Sequence, residues 1–248
     1  MVDALGWRRK FAVIAPSTNT SVQPEFDDMR PDGVTNHFAR IWIPDDPIHD
    51  DADFEQLMRN IRAEVDNAVD RVMTCRPDYL IMGMSSETFW DGAEGSRRLL
   101  EAVEERSGVR VAMGSYACEA AFEAYGGIRR LGVITPYMPV GDAQVVRFFT
   151  DCGYEVVRLK GLKCESPVLI AHVQTDTLAA AIDEVNGGDV DAVVQVGTNL
   201  AMARLAGEAE QRLGKPVIAI NTAIYWYALR QNGLADRLDG FGALLSRF

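Results

Sequence analysis

The chain is poor in the residues that form most metal sites and thiol-based sites. Its 248 residues include three histidines, and none of them stands in an HxH or HExxH pattern. Its four cysteines show no CxxC spacing, and we expect them to be reduced thiols. They are Cys75, Cys118, Cys152 and Cys164. A zinc site is therefore not expected, and His172, Cys118 and Cys164 are interpreted as structural.

The chain also lacks a basic excess and a long apolar run. Acidic residues outnumber basic ones by 36 to 25, which gives a net charge of −11. Nucleic-acid binding needs a basic face that displaces counterions, so no nucleic-acid partner is expected. Small anions stay open as ligands, because backbone amides bind them without lysine. No segment has the length of a membrane span or signal-peptide core, which predicts a soluble, cytoplasmic protein without a membrane partner and leaves a homo-oligomer open.

What the sequence does contain is a repeat of three strand-end motifs, in the same order in both halves. The pairs are residues 9–16 with 129–136, 78–85 with 191–199, and 108–115 with 214–222. Ligands of open α/β sheets bind at the carboxyl ends of strands. Two copies of one unit therefore predict two pseudo-symmetric lobes with an active-site cleft between them.

Strand-like and helical segments alternate, which predicts an α/β fold with a parallel sheet flanked by helices in each lobe. The predicted strands are 11–15, 37–43, 79–82, 109–113, 131–134, 155–159, 192–196 and 217–220. The predicted helices are one beginning near Gln23, then 53–75, 94–106, 117–124, 140–152, 175–186, 200–213 and 223–231. Gly126-Gly127 marks the lobe boundary. We assign residues 1–125 plus 223–248 to the first lobe and 126–222 to the second.

Hydroxyl and amide side chains follow the first strand directly, in Pro16-Ser17-Thr18-Asn19-Thr20. Such a loop can present hydrogen-bond donors to a carboxylate, so Pro16, Ser17 and Asn19 are candidate substrate-binding residues. The alternative is an ordinary turn, because serine, threonine and asparagine are common turn residues.

Glycine-led turns follow a central strand in each half, Gly83-Met84-Ser85-Ser86 in the first and Gly197-Thr198-Asn199 in the second. Glycine lets the backbone approach a ligand, and the N–H groups that follow can point at an anion. Two such turns facing each other would form an anion cradle or an oxyanion hole for an enolate. The glycines could instead only ease the strand-to-helix turn. Their symmetric recurrence favours substrate binding by Gly83, Ser85, Ser86, Thr198 and Asn199.

Two further side chains are candidates for a catalytic acid or base. Glu87 is the ionisable side chain of the first of these turns, and it could act as a general base if it is buried. The alternative is a solvated glutamate at a helix start. Tyr137 follows Thr135-Pro136 and could donate its phenol to the same anion, or pack as a core tyrosine.

Six segments spread over nearly the whole chain share their residues with one enzyme superfamily. They are Val13-Ile14-Ala15-Pro16-Ser17-Thr18-Asn19-Thr20, Met82-Gly83-Met84-Ser85, Phe89-Trp90-Asp91-Gly92, Thr135-Pro136-Tyr137, Arg212-Leu213-Gly214-Lys215-Pro216-Val217 and Tyr225-Trp226. They resemble the aspartate/glutamate racemase superfamily, in the branch of maleate cis-trans isomerases and arylmalonate decarboxylases. The resemblance implies an enzyme without metal or other cofactor, acting on a small mono- or dicarboxylate through an enolate-like intermediate.

The resemblance also marks a departure. The racemases and isomerases of that superfamily use one cysteine on each lobe, and the decarboxylases keep the second one to protonate the intermediate. By the resemblance, the second cysteine falls at Gly197 and the first near Gly83 or Met84, so both thiols are absent. Gly197 and Met84 mark these catalytic positions. Another acid or base is then needed, with Glu87 and Tyr137 as the candidates.

Three functions are compatible with these observations. We favour an isomerase or decarboxylase of this branch that uses non-cysteine acid and base groups. Decarboxylation tolerates the loss of a thiol best, because carbon dioxide can leave from a desolvated pocket without a base. The alternatives are a non-catalytic carboxylate-binding protein and a hydrolase with Ser85 or Ser86 as nucleophile. The hydrolase lacks a histidine or lysine with an evident place beside either serine.

Overall fold

The structure is a computed structural model that describes residues 2–248, so residue 1 of the predicted first lobe lies outside the described residues. Within them, eight strands form two sheets of four parallel strands. The first sheet has the order β2-β1-β3-β4, with β1 (Arg9–Pro16), β2 (Val34–Ile41), β3 (Tyr79–Met82) and β4 (Val111–Ala112). The second has the order β6-β5-β7-β8, with β5 (Arg130–Thr135), β6 (Glu155–Gly161), β7 (Ala192–Gln195) and β8 (Val217–Ala219).

The two sheets have the same strand order, so β5 to β8 take the places of β1 to β4. Ile14 of β1 pairs with Met82 of β3, and Ile134 of β5 pairs with Gln195 of β7. The turns that follow β3 and β7 therefore leave their sheets at equivalent places. The prediction of an α/β fold with two pseudo-symmetric lobes and parallel sheets is confirmed.

Helices flank both sheets. They are α1 (Val22–Asp28), α2 (Asp51–Met73), α3 (Gly92–Ser107), α4 (Gly114–Tyr125), α5 (Pro139–Asp151), α6 (Thr175–Val185), α7 (Ala203–Leu213), α8 (Ile220–Gln231) and α9 (Ala243–Arg247). The longest, α2, begins after Asp50, whose carboxylate accepts the N–H of Asp53 at 3.0 Å. From residue 2 onward, no helix combines the length and apolar character that a membrane span requires.

The third repeated motif, residues 108–115 and 214–222, begins in both lobes with a glycine that ends a helix. Gly108 ends α3 with φ 69°, and Gly214 ends α7 with φ 61°, so both lie in the left-handed region. Their N–H groups cap these helices by donating to the backbone carbonyls of Glu104 and Glu210. Each glycine thus ends a helix and turns the chain into the next strand.

One hydrophobic core runs through both lobes. Phe89, beyond β3, packs against Phe148 and Phe149 of α5 with ring centroids 5.0 and 5.5 Å apart. A smaller core lies within the second lobe, around Ile134 and Ile182. The continuous packing across the cleft holds the two strand-end surfaces at a fixed distance.

Helix α8 returns to the first sheet after the second lobe is complete. The ring centroid of its Tyr225 lies 6.1 Å from that of Phe11 and 5.0 Å from that of Phe26. The Tyr225 hydroxyl donates to Oδ1 of Asn36 at 3.1 Å. These contacts support the assignment of residues 223–248 to the first lobe, which stays a prediction.

The structure shifts several element boundaries. The second strand begins earlier, at Val34, and α7 begins at Ala203 rather than near residue 200. The delay of α7 follows from a turn in which the N–H of Leu200 donates to the carbonyl of Gly197. Helix α8 begins at Ile220, directly after β8, and α9 was not predicted.

Candidate active site

A small cavity lies between the lobes, beside the carboxyl ends of β1, β3, β5 and β7. Its volume is about 60 Å³, well below the ~300–1,000 Å³ of typical ligand pockets. The polar lining consists of Thr18, Asn19, Ser85, Ser86, Tyr137, Thr198 and Asn199. The apolar lining consists of Ile43, Phe54, Leu57, Ile61, Met84 and Ile170, with Pro16, Pro136 and Pro167. Gly197 completes the lining.

Three groups of the polar lining form a hydrogen-bonded chain across the cleft. Oγ of Ser85 lies 2.7 Å from Oη of Tyr137, and the N–H of Thr198 donates to the same Oγ at 3.2 Å. Because Thr198 supplies a donor to Ser85, the hydroxyl proton of Ser85 is free to point at Tyr137. In that arrangement the Tyr137 proton remains available to a ligand.

Asn19 joins the first loop to the turn after β7. Its Nδ2 donates to Oγ1 of Thr198 at 3.0 Å, and Oγ1 of Thr198 donates to the carbonyl of Gly83 at 3.1 Å. Its Oδ1 accepts the N–H groups of Ser21 and Val22 at 3.0 and 2.9 Å, where α1 begins. The Asn19 amide therefore has a fixed orientation, with its donor end at Thr198.

Asn199 makes the reciprocal connection from the second lobe. Its Oδ1 accepts the N–H of Thr20 at 2.9 Å, and its Nδ2 donates to the carbonyl of Pro167 at 3.0 Å. Ser21 donates its hydroxyl to the backbone carbonyl of Asn199 at 2.9 Å. Each lobe thus supplies an asparagine that binds the loop of the other.

Gly197 has a backbone conformation that few other residues adopt. Its φ is +134°, and a Cβ at this position would lie 2.6 Å from Cδ of Pro136. Its carbonyl accepts a hydrogen bond from Nε2 of the buried Gln195 at 2.7 Å. Position 197 can therefore hold a side chain only if Pro136 moves.

The side chains from residues 2–248 that line the cavity carry no formal charge. Within residues 2–248, no lysine, arginine or histidine lines it. Burial raises the pKa of Tyr137 far above its ordinary value, although the hydrogen bond from Ser85 opposes the rise. The phenol therefore keeps its proton at neutral pH and can act as a donor.

Glu87 lies beside the cavity but does not line it. Its Oε1 accepts from Nε of Arg62 at 2.6 Å, and its Oε2 is buried without a partner among the described residues. Burial raises the pKa of this carboxyl, and the hydrogen bond from Arg62 opposes the rise. The guanidinium carbon of Arg62 lies 5.3 Å from the ring centroid of Trp90. One carboxylate oxygen of Glu87 therefore pairs with an arginine, and its role as a general base stays a prediction.

The other predicted site residues divide into two groups. Pro16, Met84, Ser86 and Gly197 line the cavity together with the polar residues above. Ser17 is exposed, and its hydroxyl exchanges hydrogen bonds with the backbone of Ile43 at 3.2 and 3.1 Å. Gly83 contributes its carbonyl to Thr198 and does not line the cavity.

The geometry can be compared with proteins of known family. The family model of arylmalonate decarboxylase matches residues 49–245, which is most of the chain. The chain belongs to the arylmalonate decarboxylase family. The predicted membership in the branch of maleate isomerases and arylmalonate decarboxylases is confirmed.

Individual relatives are distant in sequence but close in fold. Maleate isomerase of Pseudomonas putida is 22% identical over 243 residues, covering 94% of this chain and 95% of its own. Nocardia farcinica maleate cis-trans isomerase, solved as a cysteine-to-serine variant with a covalently bound succinylcysteine intermediate, is similar with a TM-score of 0.87 and 21% identity. That match covers 97% of this chain and 99% of the isomerase.

A variant of arylmalonate decarboxylase itself shares the fold. This glycine-to-cysteine and cysteine-to-serine double variant, solved in the liganded form, has a TM-score of 0.79 and 18% identity over 97% of this chain and 100% of its own. The family contains an isomerase and a decarboxylase, so the prediction of an enzyme of one of these two kinds is confirmed. The substrate and the acid or base stay predictions.

The cysteines of this family member lie elsewhere. Among the described residues, none of the four lines the cavity. Cys118 is fully buried in the core, and burial raises its pKa far above the ordinary value. Cys164 is nearer in the chain to the lining, yet burial raises its pKa to about 11, so it stays a thiol at neutral pH.

The apolar lining was missed by the sequence analysis. Phe54, Leu57 and Ile61 belong to the apolar stripe of α2, which also supplies core residues such as Met58 and Val65. A helical period identifies such a stripe but does not show which part of it reaches a cavity. The sequence did contain a signal that Pro136 lines the cavity, because this proline stands at the strand end that repeats the position of Pro16.

Proposed function

We propose that this protein is a cofactor-independent decarboxylase that acts on a small malonate-type dicarboxylate through an enolate-like intermediate. One observation carries the proposal: the cavity combines neutral hydrogen-bond donors with an apolar lining, and no cationic side chain from residues 2–248 lines it. Donors of this kind stabilise a negative charge that develops during the reaction. An apolar lining disfavours a carboxylate that loses its hydration.

The apolar lining supports the loss of carbon dioxide. A carboxylate held against Leu57, Ile61 and Met84 would exchange water for hydrocarbon, with no cation to compensate. Breaking its bond to the α-carbon turns it into a neutral molecule and moves the electron pair to the α-carbon and the remaining carboxylate. This step relieves the desolvation and needs no base.

The polar lining supports retention of the second carboxylate. Tyr137 presents a free hydroxyl proton there, because Ser85 donates to it, while the hydroxyl of Thr198 donates to the carbonyl of Gly83. The backbone N–H groups of Ser85 and Asn199 have no protein acceptor within the described part of the chain. In the enediolate that forms, both oxygens of this group carry charge, so donors aimed at them bind the intermediate more tightly than the substrate.

Tyr137 is the group we assign as proton donor. Its raised pKa keeps the phenol protonated, and Ser85 can donate to the phenolate that remains after transfer. The phenol O–H bond breaks, a C–H bond forms at the α-carbon, and the tyrosine recovers its proton from solvent. The resemblance places the family's proton-donating thiol at Gly197, a position that Pro136 closes to side chains.

Two other reactions receive less support. Thiol addition to maleate needs a sulfur, and no cysteine within residues 2–248 lines the cavity. Ester or amide hydrolysis by Ser85 or Ser86 needs a base, whereas the partners of Ser85 Oγ are Tyr137 and the N–H of Thr198.

Proton NMR in D2O tests the proposal directly. The protein is incubated with alkyl- and arylmalonates, with maleate and with aspartate. We expect malonates alone to react, giving the monocarboxylate with one deuterium at the α-carbon. Conversion of maleate to fumarate would instead make the protein an isomerase. Unchanged spectra together with measurable carboxylate binding would make it a non-catalytic binding protein.

A further inference from the structure

A half-buried carboxylate outside the cavity connects to the polar lining through one side chain. Glu25 of α1 accepts the N–H of Ala203 at 2.8 Å with Oε1 and accepts from Nδ2 of Asn221 at 2.6 Å with Oε2. Nδ2 of Asn221 also donates to the backbone carbonyl of Thr198 at 2.9 Å. A chain of two hydrogen bonds thus joins Glu25 to the turn that lines the cavity.

These two hydrogen bonds hold Thr198, whose backbone and side chain also bind three other residues of the site. The N–H of Thr198 donates to Ser85, and Oγ1 of Thr198 bonds to Asn19 and Gly83. The carbonyl of Thr198 is the remaining polar group, and Asn221 binds it. That carbonyl belongs to the peptide group that also carries the N–H of Asn199, so the bond from Asn221 limits rotation of this group.

The arrangement joins the lobes without lining the cavity. Glu25 belongs to a helix beside the first sheet, Ala203 is the first residue of α7, and Asn221 is the second residue of α8. A carboxylate is favourable at helix N-termini, where N–H groups lack intrahelical acceptors. Burial nevertheless raises the pKa of Glu25, although its hydrogen bonds from Ala203 and Asn221 oppose the rise.

The side chain of Asn221 forms its two hydrogen bonds through its NH2 group, Nδ2. Its side chain is 1% exposed, and its Oδ1 is buried without a partner within residues 2–248. An unpaired buried amide oxygen costs free energy, about 1–3 kcal/mol. The two acceptors of its Nδ2, Glu25 and Thr198, are the groups that keep this asparagine in place.

We propose that Glu25 is a positioning residue for the reaction: through Asn221 it holds the peptide group between Thr198 and Asn199 in the orientation that the polar lining requires. This inference rests on the proposed decarboxylase function. Glu25 itself touches neither the cavity nor the group that transfers the proton. Its loss should therefore slow the chemical step and leave substrate affinity nearly unchanged.

Glu25→Gln tests the proposal. A glutamine has one acceptor oxygen, so its NH2 group must face a donor, either the N–H of Ala203 or Nδ2 of Asn221. We expect kcat to fall about 10-fold or more with KM within about 3-fold, because misplaced donors act on the transition state. Asn221→Ser removes both bonds made by Nδ2 and leaves the bond from the N–H of Ala203 to Glu25, so it should give the same result.

Asp28→Asn is the matched control. Asp28 lies on the same helix, is exposed and pairs with Arg204 at 2.5 Å, outside the chain of bonds to Thr198. It should keep the kcat of the parent. Thermal unfolding and circular dichroism show which variants are folded, and Asn221→Ser decides the matter if Glu25→Gln does not fold.

A second measurement is independent of activity. The amide of Asn199, which shares a peptide group with the carbonyl of Thr198, is followed by proton–nitrogen NMR and by hydrogen exchange. Both should change in Glu25→Gln and Asn221→Ser but not in Asp28→Asn. An unchanged Asn199 amide, or a changed amide with unchanged kcat, would overturn the positioning role. A parent enzyme that decarboxylates nothing would contradict the proposed function alone, and the Asn199 amide would still decide the role of Glu25.

Discussion

The ring of Pro136 occupies the space that a side chain at Gly197 would need. A Cβ on Gly197 would lie 2.6 Å from Cδ and 2.8 Å from Cγ of that proline. Real Cβ atoms do not approach another atom so closely, and φ of +134° at Gly197 disfavours any side chain in addition. In this family member, the position of the Pro136 ring therefore requires a glycine at 197.

The first prediction concerns the stability cost of a side chain at position 197. Gly197→Ala should lower the free energy of unfolding by about 2–4 kcal/mol, because it adds overpacking to backbone strain. Gly214→Ala is the control, since Gly214 also has a positive φ, 61°, but nothing lies within 4 Å of its Cβ position. It should cost only about 1–2 kcal/mol. Urea denaturation measures both.

The double variant Gly197→Ala/Pro136→Ala should recover part of the lost free energy of unfolding, because the contact between the Cβ at position 197 and the ring of Pro136 is then removed. Equal costs for the single variants at 197 and 214 would show that Pro136 does not close the position. Gly197→Cys should likewise be destabilised and should not increase turnover of any malonate.

The second prediction concerns the phenol in the cavity. Tyr137→Phe removes the hydroxyl that lies 2.7 Å from Oγ of Ser85. It should lower kcat/KM by about 10- to 100-fold or more, because this factor corresponds to the free energy of one hydrogen bond to a charged group. Tyr125→Phe is the control, because its hydroxyl donates to Glu210 outside the cavity, at 2.8 Å. Steady-state rates with an alkylmalonate measure both. Equal rates for the two variants would exclude Tyr137 as donor.

The third prediction separates the two ends of the Asn19 amide. Asn19→Asp keeps the acceptor for Ser21 and Val22 but places a negative charge at Thr198, where Nδ2 now donates. The melting temperature should change little, whereas carboxylate affinity should fall more than about 10-fold by charge repulsion. Asn19→Ala should instead lose about 1 kcal/mol of stability, because the acceptor at the start of α1 is gone. Calorimetric titration with malonate and thermal melts give the two readouts.

The fourth prediction concerns Asp142, which accepts the hydroxyl proton of Thr135 two residues before Tyr137. Burial raises its pKa from 3.8 to about 6, with Lys163 opposing and Asp51 reinforcing the rise. The folded state therefore binds the proton more tightly than the unfolded state. This contribution to stability is present at low pH and is lost as the pH rises from about 4 to about 6.

Asp142→Asn removes that titration and keeps an acceptor for Thr135. It should match the parent at about pH 4 and exceed it by on the order of 1–2 kcal/mol at about pH 8. The control is Asp176→Asn, an exposed acid in the first turn of α6. A difference between parent and Asp142→Asn that is constant with pH would show that Asp142 has no raised pKa. Denaturant titrations across this range give the answer.

The strands and most helices were predictable from the sequence, because their signals are local. Buried strands are short apolar runs, and the glycines at 108 and 214 end their helices in the left-handed conformation. The strand ends also located the polar lining, since parallel strands place their carboxyl ends at one edge of the sheet. Helix α9 and the start of α7 were not predictable, because a turn at Gly197 and contacts with distant residues set them.

The individual roles of site residues depend on contacts that are far apart in the chain. Glu87 meets Arg62 at 2.6 Å, across 25 positions, and does not line the cavity. Glu25 meets Asn221 across 196 positions. No period or motif carries such information, so the polar character of the site was predictable while the partners of each side chain were not.

The return of α8 has a consequence for biosynthesis. The rings of Phe11 and Phe26 obtain their partner Tyr225 only after the ribosome has made the entire second lobe. At about 5–20 residues per second, the nascent first lobe waits on the order of 5–20 s with this apolar surface uncovered. During that interval, and in any polypeptide that stops before α8, this apolar surface lacks the cover that Tyr225 provides.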